Sequence, residues 1–77
     1  MNNQRRKELE KARELLDEAQ AIIEQARDEE TEYYENMPES LQSGDKGQAA
    51  EAAAEYLSSA AEQVGEALEN LDNAISG

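Results

Sequence analysis

Apolar residues recur through the first half of the chain at alternating steps of three and four: Leu9, Ala12, Leu16, Ala19, Ile23 and Ala26, followed by Glu30 and Tyr33. A seam of this kind marks a helix that packs along one stripe. One series reads Leu9, Leu16, Ile23, Glu30 and the other Ala12, Ala19, Ala26, Tyr33, with Leu15 and Ile22 beside them. Between these positions lie mostly Glu, Asp, Arg and Gln, good helix formers on a solvated face. The pattern predicts a helix over about residues 4–36, roughly 50 Å long at 1.5 Å per residue. Pro38 ends it, because proline disfavours helical backbone at Met37 and has no N–H to donate. Asn36-Met37-Pro38-Glu39 has the form of a capping box. A short turn over Pro38–Gln42 is expected next, closing at Ser43-Gly44.

Asp45-Lys46-Gly47-Gln48 has the form of a second cap, with Asp45 as the capping residue. The helical period then resumes over about residues 48–75. Ala50, Leu57, Val64 and Leu71 repeat every seven residues, as do Ala54, Ala61, Leu68 and Ile75; a third stripe is all alanine, Ala53, Ala60, Ala67 and Ala74. Gly65 is expected on the outer face, at a cost of about 1 kcal/mol relative to alanine.

The expected fold is all-α: a single domain over residues 1–77, an antiparallel two-helix hairpin with alanine-rich coiled-coil packing and a loop with a short turn over 37–47. Facing residues in such a pair have nearly constant number totals. A total of 86 sets Ala12 against Ala74, Ala19 against Ala67, Ala26 against Ala60 and Tyr33 against Ala53. Leu16 then falls near Leu68 and Leu71, Ile23 near Ala61 and Val64, and Glu30 beside Tyr56, whose hydroxyl is expected to bond it. Leu15, Ile22, Leu68 and Ile75 are left without a partner inside one hairpin. The expectation is therefore a homo-oligomer, most simply a dimer forming a four-helix bundle.

Composition narrows the chemistry. Of 77 residues, 13 are alanine and only 11 are Leu, Ile or Val; Phe, Trp, Cys and His are absent. Such scarcity at a net charge of −12 is a mark of disorder, and the strong periodicity argues against it. Without His or Cys there is no zinc site of the usual type, no disulfide scaffold and no Ser-His or Cys-His catalysis. No apolar run is long enough for a membrane span or signal-peptide core. A helical di-iron site normally uses Glu-x-x-His. The expectation is a non-enzymatic protein with no cofactor, no metal and no membrane partner.

The charge is unevenly placed. Residues 1–13 carry five bases and two acids, residues 14–46 two bases and eleven acids, and residues 47–77 six acids and no base. Glu51, Glu55, Glu62, Glu66 and Glu69 form the candidate partner-binding face. Read plainly, these carboxylates are a solvated surface. Read functionally, neighbours spaced i, i+4 lie roughly 5–6 Å apart, comparable to phosphates on a strand. They would suit the basic groove of a nucleic-acid-binding protein, while direct nucleic-acid binding is not expected. The basic start, Arg5, Arg6, Lys7, Lys11 and Arg13, is best read as lying beside the C-terminus of the second helix. Lys46, Gly47 and Gln48 precede or open a helix, where anions bind, although the Walker A pattern is missing. With Tyr33, Tyr34 or Tyr56 stacking on a base, they are the candidate anion or nucleotide site. Tyr33, Tyr34, Met37, Leu41 and Tyr56 are otherwise a small apolar cluster at the loop end, or anchors for a partner.

The stretch Tyr33–Gly47, YYENMPESLQSGDKG, between two heptad helices resembles short uncharacterised acidic helical-hairpin proteins of phages and mobile elements of Gram-positive bacteria. Its most specific part is Asn-Met-Pro-Glu-Ser-Leu-Gln. The resemblance implies an accessory protein of the host-cell cytoplasm and brings no catalytic residues. Three functions remain open. The first is a small acidic protein that binds and blocks a basic host protein, either a nucleic-acid-handling or a defence protein. The second is an oligomeric sponge for a small anionic nucleotide at the Lys46 loop. The third is a structural or assembly module.

Overall fold

The computed structural model describes all 77 residues. It contains α1 (Asn3–Glu35), α2 (Glu39–Gln42) and α3 (Asp45–Ser76), with no strands. α1 and α3 pack against each other along their lengths. The molecule is a rod of 58 × 14 × 14 Å with a radius of gyration of 17.3 Å, against about 11–12 Å for a compact chain of this length.

Each helix end is closed by a different device. Asn2 caps α1, its side-chain oxygen accepting from the Arg5 N–H at 2.7 Å; this is an ordinary asparagine cap, and the helix starts one residue before the expected residue 4. Asn36 closes α1 with a backbone bond to the Glu32 carbonyl at 2.9 Å. It does not cap α2, whose first turn follows Pro38 without a side-chain cap. Proline's fixed φ already prepares the chain for that turn. The second expected cap also differs. Gly44, in extended backbone, precedes α3, and Asp45 sits inside the first turn. Gln48 donates instead to the Ser43 carbonyl at 2.9 Å. The negative Asp45 still favours the positive end of the helix.

Gln42 is the joint between the helices. Its amide donates to the Tyr34 carbonyl in the last turn of α1 at 3.1 Å and to the Met37 carbonyl just beyond it at 3.4 Å, adding to the Met37 N–H that already reaches the Tyr34 carbonyl. Its backbone lies directly on buried Gly47, where a Cβ would collide with the Gln42 carbonyl. Only glycine permits this approach.

The two helices run past each other in opposite directions: Arg6 Nε donates to the Ile75 carbonyl at 3.3 Å, Arg13 pairs with Asp72, and Gln20 reaches the Ala61 carbonyl at 3.1 Å. Arg13 with Asp72, Gln20 with Gly65 and Tyr34 with Glu51 are neighbours across the pair, and each pair of numbers totals 85, one lower than the spacing suggests. The buried apolar residues are Ala50, Ala61 and Leu68. Leu57, Val64, Leu71 and Ile75 are half-buried with them. The inward face of α3 is therefore the pair of mixed heptad series. Ala53, Ala60 and Ala67 are half-buried and Ala74 is exposed, so the alanine stripe is a flank and Ala74 does not face Ala12 as a buried layer. The mixed series turn inward because they carry the larger side chains, and burying a Leu or Val gains roughly 1.5–3 kcal/mol. For the same reason Leu68, only 7 % exposed, and Ile75 belong to this single-chain core. Leu15 and Ile22 are left outside.

Three further expectations are corrected. Tyr33 is 52 % exposed, and Tyr34 takes the inward place. A strict heptad lags a straight helix by about 20° per repeat, so after several repeats the next residue faces the seam. Glu30 is half-buried without a bond from Tyr56, which is 78 % exposed. Gly65 is half-buried rather than outward, and a Cβ there would come within 3.1 Å of the Gln20 amide.

Two predictions follow the packing. Ala61→Leu should cost about 1–3 kcal/mol by overpacking, while Ala52→Leu, at an exposed position, should be near neutral; urea unfolding of both variants measures this, and equal effects would contradict the seam. Gly47→Ala should destabilise by about 1–3 kcal/mol despite its better helix propensity. Gly65→Ala should be milder, because only a flexible side chain has to give way.

Candidate functional site

Arg13, Gln20, Arg27 and Tyr34 recur every seven residues of α1, each one position after Ala12, Ala19, Ala26 and Tyr33. They line one side of the helix pair. On α3 that side carries Glu51, Ser58, Gly65 and Asp72, again at seven-residue steps. Between these rows two open grooves adjoin at Ser58. One, of about 500 Å³, is lined by Thr31, Tyr34, Glu51, Ala54, Glu55, Ser58 and Ser59. The other, of about 440 Å³, is lined by Gln20, Glu24, Arg27, Ser58, Ala61, Glu62, Gly65, Glu66 and Glu69. Together they form a furrow along the rod.

Glu51, Glu55, Glu62, Glu66 and Glu69 all line this furrow and all are exposed. At 100° per residue they fall within an arc of about 60° on α3 and span roughly 27 Å of helix. The sequence placed them on an outer face; the structure adds that α1 forms the opposite wall and contributes Glu24. Arg27 is the one base in the furrow, and its guanidinium pairs with Asp28 of its own helix at 3.0 Å. Gln20, Glu24, Arg27, Thr31 and Ser58 were not anticipated as members. For Gln20 and Arg27 the signal was present in the seven-residue recurrence one position after the seam alanines; Glu24, Thr31 and Ser58 join only through the way the helices pair.

The ends of the furrow are electrostatically distinct. At one end Arg13 holds Asp72, with a second contact from Nη2 at 3.2 Å. The hydrogen bond and charge of Arg13 keep the Asp72 carboxyl below the ordinary carboxylate range, and Asp72 in turn raises Arg13. Arg6 meets the last carbonyls of α3, so the basic start does lie beside that helix end, where positive charge is favourable. At the other end, loss of solvent around Tyr34, then the Glu51 carboxylate, push the Tyr34 hydroxyl above its usual value.

The second candidate site is divided. Tyr33 and Lys46 share a groove of about 380 Å³ with Met37, Leu41, Gly44 and Asp45. Tyr34 lies in the furrow instead. Gly47 is buried against Gln42. The Gln48 N–H is bonded to the Gly44 carbonyl at 2.9 Å and is not free for an anion. Tyr33, Met37 and Leu41 form the apolar cluster expected at the loop end, while Tyr56 is not among its lining residues.

No three carboxylates converge closely enough to hold a metal ion, and no helix is long and apolar enough to cross a membrane. No family model, curated protein or solved structure matches the chain.

The Arg13–Asp72 bond carries a pH signature. Because the folded Asp72 has the lower pKa, its stabilisation is complete above the unfolded value near 3.9 and is lost as pH falls through the folded value. The stability gap between wild type and Asp72→Asn should be open at about pH 7 and close below about pH 4. A gap that persists unchanged in strong acid would contradict the pairing.

Proposed function

We propose that the protein is a non-enzymatic, acidic accessory protein whose furrow occupies a basic site on a nucleic-acid-handling or defence protein. The observation that carries this reading is the arc of five exposed carboxylates, Glu51, Glu55, Glu62, Glu66 and Glu69, on a helix with no base after Lys46. An antiparallel hairpin stiffened by alanine coiled-coil packing presents them as a straight row. A row of this length matches several phosphates of a nucleic-acid strand and would compete for the same lysines and arginines. The phage or mobile-element setting is supported by the resemblance of the Tyr33–Gly47 segment. In that setting the protein would act in the host cytoplasm.

A fixed row of charge works through many weak contacts. Its binding should fall steeply with salt, since exposed charges are screened over about 8–10 Å at physiological ionic strength. Replacing Glu55, Glu62 and Glu69 together with Gln removes three charges from the furrow while keeping size and helix propensity. The wild-type protein should displace duplex DNA from basic host DNA-binding proteins at low salt. The triple variant should keep its helical circular dichroism and lose the displacement. If the protein and DNA occupy those targets together without interference, the proposal is wrong.

A further inference from the structure

The side of the rod away from the furrow has the opposite character. From Ala49 to Ala74, residues at alternating steps of four and three along α3 carry no charge, with Ala53, Tyr56, Ala60, Gln63, Ala67 and Asn70 between these ends. At 100° per residue this stripe covers an arc of about 100°, and the six acids of α3 from Glu51 onward fall outside it; Asp45, in the first turn before the stripe begins, lies on the same line. Tyr56 is 78 % exposed. On α1, Leu15 and Ile22 are 57 % and 68 % exposed. Each lies two residues after a residue of the furrow side, Arg13 at its end or Gln20 within it, and so about 200° around the helix, on the side of Ala60 and Ala67.

We propose that this charge-free face is the docking surface for a second copy of the chain, in a two-fold dimer that sets α3 against α3 and turns both furrows outward. The inference stands independently of the furrow's proposed function.

Three observations favour a second copy as the occupant. A two-fold interface brings each patch against itself. In a chain of net charge −12, a patch set against itself has to be free of carboxylates, and on α3 from Ala49 to Ala74 this stripe is the face that is. The surface area agrees. The chain exposes 5721 Å², whereas a compact monomer of this mass exposes about 4,700 Å². The excess, about 1,000 Å², is close to the roughly 800 Å² that each partner buries in an ordinary stable complex.

The charge of the ends agrees as well. The midpoint of the stripe falls between Ala60 and Gln63. A two-fold axis there sets the basic start of one copy, Arg5, Lys7 and Lys11, alongside the acidic loop end of the other, with Glu35, Glu39 and Asp45. Attraction at both ends then fixes the antiparallel orientation. The alanines allow the two α3 helices to approach at about 8 Å, and Leu15 and Ile22 are covered at the rim.

The test uses the full chain, which has no cysteine of its own. Sedimentation equilibrium should give a dimer at about 100 µM, dissociating on dilution by mass action. Ala60→Glu should weaken the dimer at least about tenfold by placing like charges across the axis. Because that variant could also unfold, single cysteines provide a second reading. Under mild oxidation Gln63→Cys should give a covalent dimer, while Glu62→Cys, in the furrow, should stay monomeric on a denaturing gel. A wild-type monomer at that concentration, a larger oligomer, or cross-linking through Glu62→Cys as readily as through Gln63→Cys would each overturn the proposal.

Discussion

Two long helices with few large apolar side chains hold together by lying close, and Gly47 sets that closeness. Its missing side chain admits the Gln42 backbone, and the Gln42 amide closes the end of α1. The turn is thereby locked to the helix it follows and to the one it starts. Farther along, Ala50 and Ala61 keep the separation small enough for Leu68 to be buried. Gln20 can reach the Ala61 carbonyl because Gly65 leaves the space open. Each contact is modest. Together they fix the register that brings Arg13 to Asp72 and Tyr34 to Glu51.

That register divides the surface. One side gathers the carboxylates of α3 with polar residues of α1 into a furrow. The other gathers alanines, two neutral amides, an exposed tyrosine and two exposed aliphatic residues. Charge repulsion and hydrophobic burial act on different sides of the same rod. The acidic side remains solvated and available to a cationic surface, while the neutral stripe of α3 from Ala49 to Ala74 can be covered without desolvating a charge of its own.

Much of this was legible in the chain. The seam Leu9 to Ala26, the stop at Pro38 and the heptads of α3 gave helix extents within a few residues of those observed. The near-constant number totals gave the pairing to within one residue. The errors have separate physical causes. Small residues were matched to small residues, although burial energy favours the larger ones, so Leu68 and Ile75 turned inward and the alanine stripe became a flank. A strict seven-residue count carried Tyr33 into a place that Tyr34 occupies. At the turn, cap patterns at Asn36 and Asp45 gave way to side-chain bonds from Gln42 and Gln48 to carbonyls five to eight residues back, which no short motif announces. The furrow was half visible: the acids of α3 were evident, but their opposite wall depended on the register.

The central claim is that the two sides are chemically separate and only one attracts positive charge. Amide chemical-shift mapping of the full chain during titration with a short oligo-arginine peptide tests it most directly. The account predicts shifts along Glu51, Glu55, Glu62, Glu66 and Glu69 and on the facing residues Gln20 and Glu24, with Gln63 and Asn70 unmoved. Shifts spread evenly over both sides, or concentrated on Gln63 and Asn70, would contradict it.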